Sequence, residues 1–227
     1  FAASAPSSAP PLDVAVSRTG GAWLADFHFP RRAGAPVFVR SSVTRVGARP
    51  WRTQCWTVET PGVRLERRGH YDVLVAADGG SLPERIRIRF APFPGDLIAD
   101  YDPALLFTDG SVALYSEQFD AFPLRSAERA ERLPIDLGDT GVDIGPTRVT
   151  FRDSSGFVLH RGRRLATLTL EDDGGAYVLF GPAEPVETEA LAAIIDPELP
   201  EWIRRSLLAD TPRILAGYAE ALGPAPG

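Results

Sequence analysis

From Leu12 to about Phe90 the chain runs in short stretches where apolar and polar residues alternate, broken by residues that favour turns. Leu12, Val14 and Val16 share one side of the first stretch. Gly20-Gly21 then turns the chain into Ala22–Phe29, where Asp26 and His28 take the polar positions. This pattern predicts a β-hairpin. Further strands are predicted at Val37–Val43, Arg52–Val58, Val63–Arg67, His70–Ala76 and Arg85–Phe90, with Gly34-Ala-Pro36, Pro61-Gly62, Arg68-Gly69 and Asp78-Gly79-Gly80 between them. Short strands recurring every 8–12 residues or so point to an antiparallel sandwich. The clearest is Arg85-Ile-Arg-Ile-Arg-Phe90, whose period of two puts three arginines on one face and Ile86, Ile88 and Phe90 on the other. The arginine face reads as a wet surface whose charges pair with acids on the next strand.

Residues 91–147 are less regular, with turn signals at Pro92-Phe-Pro94-Gly95, Asp100-Tyr-Asp-Pro103 and Asp109-Gly110, and a short helix-compatible piece at Ser126–Arg132. Strands resume at Thr147–Arg152, Gly156–His160, Arg164–Leu170 and Tyr177–Phe180, which read as consecutive hairpins or a meander. The last forty or so residues change to helical spacing. Glu187–Ile195 and Pro200–Ala209 are predicted as helices. A third starts at Pro212 behind an Asp210 or Thr211 cap and ends at Gly223, with Ile214, Leu215, Tyr218, Ala219 and Leu222 on one side. The expected class is therefore mainly β: an antiparallel β-sandwich with an additional β-meander and a short C-terminal α-helical segment. Residues 1–11 read as a Pro/Ser/Ala linker after a signal-peptide cleavage site. Residues 12–185 read as a β-rich domain, and residues 186–227 as a helical segment that begins a further, catalytic domain.

Composition narrows the chemistry. At 227 residues and 24.5 kDa, the chain is large enough to bury about 70% of its unfolded surface without disulfide staples. No apolar run approaches the ~20 residues that span a bilayer, so a soluble chain, periplasmic or extracellular, is expected. All 24 basic residues are arginine, and the net charge of −6 argues against nucleic acid as a general partner. Without lysine, Schiff-base, Ser-Lys and the usual phosphate-loop mechanisms are closed. The single Cys55 has no disulfide partner within the chain and reads as a small buried hydrophobe.

Candidate sites are few. His28, His70 and His160 follow no local ligand spacing, and neither H-E-x-x-H nor C-x-x-C occurs. Asp136, Asp139 and Asp143 lie in a glycine-containing acidic loop whose oxygens suit a hard cation, although the spacing is not that of an EF-hand. Ser154-Ser155 sits in a natural turn, with no nucleophile elbow. Aromatic residues offer a groove for a peptide or a polysaccharide, with Trp51, Trp56, Tyr101 and Tyr115 as the candidate ligand or partner surface. Trp51 and Trp56 are five apart, so on an extended strand at most one of them can line the core. Carboxylates such as Asp100, Asp102 and Glu117 could cooperate in acid–base chemistry, a weak signal by itself.

Three segments carry a family resemblance: Leu106-Phe-Thr-Asp-Gly-Ser-Val-Ala-Leu-Tyr115, Tyr177-Val-Leu-Phe-Gly181 and the helix Pro212–Gly223. In this order, after an irregular β-domain, they resemble the N-terminal non-catalytic region of zinc metallopeptidases of the glycyl aminopeptidase type, within the thermolysin-like group. The resemblance implies an accessory β-domain of a secreted peptidase. Its partner would be the catalytic domain, carrying the H-E-x-x-H helix and the downstream glutamate. This chain would hold no catalytic residue and no cofactor, zinc being expected only if such a domain follows. The Pro-rich end Gly223-Pro-Ala-Pro-Gly227 then reads as a cut in a linker. The other reading is a periplasmic or extracellular β-sandwich that binds a ligand or another protein.

Overall fold

The computed structural model describes residues 11–29, 34–138, 140–171, 175–189 and 191–223. In chain order the elements begin with β1 (Leu12–Thr19), β2 (Ala22–His28), β3 (Ala35–Phe38), the single helical turn α1 (Arg52–Cys55), β4 (Trp56–Val58), β5 (Val63–Arg68), β6 (Tyr71–Ala76) and β7 (Arg85–Phe90). There follow β8 (Ala104–Leu106), β9 (Val112–Tyr115), a 3₁₀ turn at Ser116–Phe119, β10 (Ala121–Leu124), α2 (Ala127–Ala130), β11 (Thr147–Asp153) and β12 (Val158–His160). The chain ends with β13 (Arg163–Leu165), β14 (Thr167–Glu171), β15 (Tyr177–Phe180), the two-residue strands β16 (Val186–Glu187) and β17 (Ala192–Ala193), and α3 (Glu201–Leu222). The class is mainly β, with several antiparallel sheets packed in a sandwich-like manner and a short C-terminal helix.

The largest sheet has the order β14-β11-β1-β2-β7-β4. Its first hairpin forms where expected, because Gly20 and Gly21 both take positive φ (55° and 83°), the geometry a tight two-residue turn between twisted strands requires. Alternation then sorts the sheet into two faces. Leu170, Val149, Val14, Phe27 and Ile86 lie in one cross-strand row and Leu168, Phe151, Val16, Ala25 and Ile88 in the next, all turned inward. The outer face carries the β7 arginines, and two of them pair as expected: Arg87 with Asp26 of β2 and Arg89 with Glu59, just beyond β4. β1 and β11 run parallel, a long-range pairing that period alone cannot announce.

Two smaller sheets, β10-β3-β6-β5 and β13-β12-β15-β9-β8, face the same interior. Phe38 and Leu74 from one, and Leu114, Val158, Val178 and Phe180 from the other, join the large sheet's rows in a single apolar cluster. The run read as consecutive hairpins after Thr147 divides between layers. β12–β13 form a hairpin and β15 returns along β12, while β11 and β14 pair with each other in the large sheet.

Five segments depart from the sequence reading. The strand expected at Val37–Val43 is the shorter Ala35–Phe38, and the one expected at Arg164–Leu170 is split into β13 and β14, which lie in different sheets. Arg52–Val58 is not one strand: a helical turn, Arg52–Cys55, precedes the short strand β4. Glu187–Ile195 is not a helix but the hairpin β16–β17, whose Ile194 packs on the outer side of the β15-containing sheet together with Ala113, Leu159 and Leu179. The two helices expected around Pro212 are one, α3, with Pro212 inside it. Proline removes one backbone hydrogen bond. On a helix with no buried residue, water can satisfy the carbonyl this frees. Among the described residues, no helix is long and apolar enough to cross a membrane.

Candidate functional site

The structure separates the four aromatic candidates into two clusters, each built around an arginine. Trp51 and Trp56 do not line a surface: they are 1% and 5% exposed, so both belong to the core. The α1 turn is the reason. A helical turn between the two residues cancels the opposition of faces that an extended strand would impose, and both rings meet inside, T-shaped at 6.0 Å. Between them lies Arg52, fully buried, its guanidinium 4.3 Å from the Phe38 ring, 4.5 Å from Trp51 and 4.9 Å from Trp56. It donates to Asp72 at 2.8 Å and to the Gln118 carbonyl at 2.9 Å.

Asp72, also fully buried, accepts a second bond from Arg67 at 3.0 Å, and its own N–H donates to the Ser41 hydroxyl. Burial lowers the pKa of Arg52, and the charge and hydrogen bond of Asp72 pull it back. Among the described residues, the Trp51 and Trp56 indole N–H groups and Arg52 Nε have no hydrogen-bond acceptor. Each lies among aromatic faces, where an N–H can be held weakly by a π-system. This cluster is structural: it ties α1, β6 and the 3₁₀ turn into one interior.

Tyr101 and Tyr115 form the other cluster, and the structure does bring them together, with ring centroids 5.0 Å apart and Tyr177 5.2 Å beyond Tyr115. The Arg40 guanidinium lies 5.9 Å from the Tyr101 ring and 5.5 Å from Tyr115. It donates to Asp100 at 2.8 Å and through Nε to Glu117 at 2.8 Å, with Nη2 on the same Glu117 oxygen. Ser42 and the Tyr101 N–H complete the ring around Asp100, and Tyr115 donates to Glu117 at 3.1 Å. Burial works against the charged form of Arg40, but the bond to Glu117 and the charges of Asp100 and Glu117 outweigh it, so its pKa is raised. Burial, then the Glu117 charge, raises the Tyr115 phenol, while burial and Asp102 push Tyr177 up to about 12.

Gly175 closes over this group with φ at +74°. A Cβ there would fall on the Tyr115 hydroxyl and within 2.8 Å of the Glu117 carboxylate. Tyr115 is buried and only Tyr101 presents its ring to solvent, at 60% exposure. Asp100 and Glu117 are committed to Arg40, which suits a clamp between the loop before β8 and the turn after β9 better than a proton-transfer pair.

The other sequence candidates separate. His28, His70 and His160 lie on different strands or turns, and among the described residues no group of three potential metal ligands occurs. Asp139 of the acidic loop lies outside the described residues; Asp136 and Asp143 each accept a bond from the backbone two residues ahead. Asp153 does the same for Ser155, as expected of a turn. Cys55 is half-buried, and burial pushes its thiol up to about 12.

The apolar side expected of the last helix is exposed on α3. Ile214, Leu215, Tyr218 and Leu222 recur along one side at 57%, 49%, 61% and 80% exposure, and Leu207 extends the stripe. Arg40, Arg52 and Asp72 were missed. Asp72 had one signal, as a lone acid inside the otherwise apolar run Tyr71–Ala76, which implies a buried counter-charge. No protein-family model matches the chain, and no curated protein matches it.

Proposed function

We propose that this chain is the accessory β-domain of a secreted zinc-peptidase-like protein, and that α3 is the element by which it docks onto a catalytic domain. One observation carries the reading: a 22-residue helix whose apolar side is uncovered. A helix that buries nothing draws little support from propensity alone, and Pro212 and Gly217 weaken it further. Its stripe from Leu207 to Leu222, about 22 Å at 1.5 Å per residue, needs a partner surface of similar length. The root of the helix is well held, since Ile194 packs on the β15-containing sheet and Asp196 accepts from the Thr108 N–H at 2.8 Å. The partner would therefore meet a helix fixed at its start. On this reading the chain itself holds no zinc and no catalytic residue, works in the periplasm or outside the cell, and takes its substrates through its partner.

The test is to sequence the gene beyond codon 227 and co-express what it encodes with this chain. An H-E-x-x-H helix and a complex that dissociates with Leu215→Glu and Tyr218→Glu are expected. A stop at that point, or a purified chain that alone binds stoichiometric zinc and cleaves glycyl substrates, overturns the proposal. A second reading, a peptide- or polysaccharide-binding module, is favoured by the exposed Tyr101 ring beside Arg40. It requires saturable binding that Tyr101→Ala abolishes.

A further inference from the structure

The four-stranded sheet has a cleft of about 430 Å³ on its far side, between the β6–β7 turn at Asp78-Gly79-Gly80 and the start of α2. Val75 floors it, Ala127 lies at one end, and Arg64, Glu66, Arg68, Arg125 and Glu128 stand around the rim. Its size is that of a small-ligand site, and its lining is more polar than apolar.

The three arginines and three acids around it sum to zero, but they are not paired one to one. Arg68 is taken by Glu66 and Glu131, at 2.7 and 2.8 Å. Asp78 accepts from the Gly80 N–H at 2.9 Å, and Glu128 is held by the Ser126 hydroxyl. Each acid of the rim thus has a donor within the chain, an arginine for Glu66 and a neutral group for Asp78 and Glu128. Arg64 and Arg125, which approach from opposite edges of the sheet, have no carboxylate partner among the described residues. We infer that this cleft binds a small anion bearing carboxylate or phosphate oxygens, held by Arg64 and Arg125 with any short aliphatic part against Val75. Guanidinium groups match both oxyanions in geometry, so the chemistry is shared and the source is left to the experiment. The inference is independent of α3 and of the docking it is proposed to serve.

Titration of the purified chain with inorganic phosphate in one arm and glutarate in the other, followed by calorimetry and backbone amide shifts, tests it. Saturable binding of at least one probe is expected, with shifts at residues 76–80 and 125–128. The exposed position of both arginines leaves the fold intact in an Arg64→Gln/Arg125→Gln variant, which should bind at least about tenfold more weakly. Arg85→Gln, on the outer face of the large sheet, should bind as the parent does. Preference for phosphate or for glutarate assigns the source. No saturable binding of either probe at tens of millimolar, or a double variant that binds unchanged, overturns the inference.

Discussion

Replacing Asp72 by asparagine keeps the shape of the side chain and removes one charge from an interior where Arg52 and Asp72 are both inaccessible to solvent. The two partners of the pair are not placed alike. Asp72 has a second cation in Arg67, which is 23% exposed and can rehydrate when its partner is lost. Among the described residues Arg52 has only Asp72 as a counter-charge; its other contacts there are the Gln118 carbonyl and three aromatic faces, present in parent and variant alike. Asp72→Asn therefore strands a buried guanidinium, and the expected loss is about 3–5 kcal/mol, the usual cost of breaking a buried pair from one side. For a chain of this length that lowers Tm by about 10 °C.

Arg52→Met leaves the Asp72 carboxylate still paired with Arg67, and it should cost less. The double variant, with no stranded cation, should recover part of the Asp72→Asn loss. Urea unfolding followed by tryptophan fluorescence measures all three, because Trp51 and Trp56 enclose the pair. An Asp72→Asn variant within about 1 kcal/mol of the parent, or an Arg52→Met variant that is the less stable single mutant, would refute this account of the interior.

Two further outcomes follow from the titrating groups. Tyr177 and Tyr115 have folded pKa values raised above the ordinary phenol value, so the folded state holds their protons longer than the unfolded chain; their contribution is intact below about pH 10 and is lost as pH rises toward 12 and beyond. Phenolate absorbance should show these tyrosines ionising late and together with unfolding, and early ionisation of all five tyrosines in the folded chain would contradict it. Cys55, pushed up to about 12 by burial, carries almost no thiolate at pH 8, so a disulfide reagent should modify it slowly in the native protein and rapidly in urea. Fast native labelling would show that the site is open.

Much of the β-framework was legible in the sequence because alternation is a local property. Rows such as Val149, Val14, Phe27 and Ile86 follow from a period of two whichever strands become neighbours. The glycine pair that closes the first hairpin, the arginine face of β7 paired to acids, and the apolar spacing of the last helix were likewise legible residue by residue. The tertiary structure decided what depends on partners far along the chain. It set β1 parallel to β11, turned Arg52–Cys55 into a helical step, and gathered Arg40, Asp100 and Glu117 from three distant segments. It also kept α3 whole across Pro212, on a helix none of whose residues is buried. The division has one physical cause: side-chain period is fixed by backbone geometry over a few residues, whereas strand neighbours and buried charge partners are chosen by which distant surfaces and counter-charges the folded chain brings within a few ångströms.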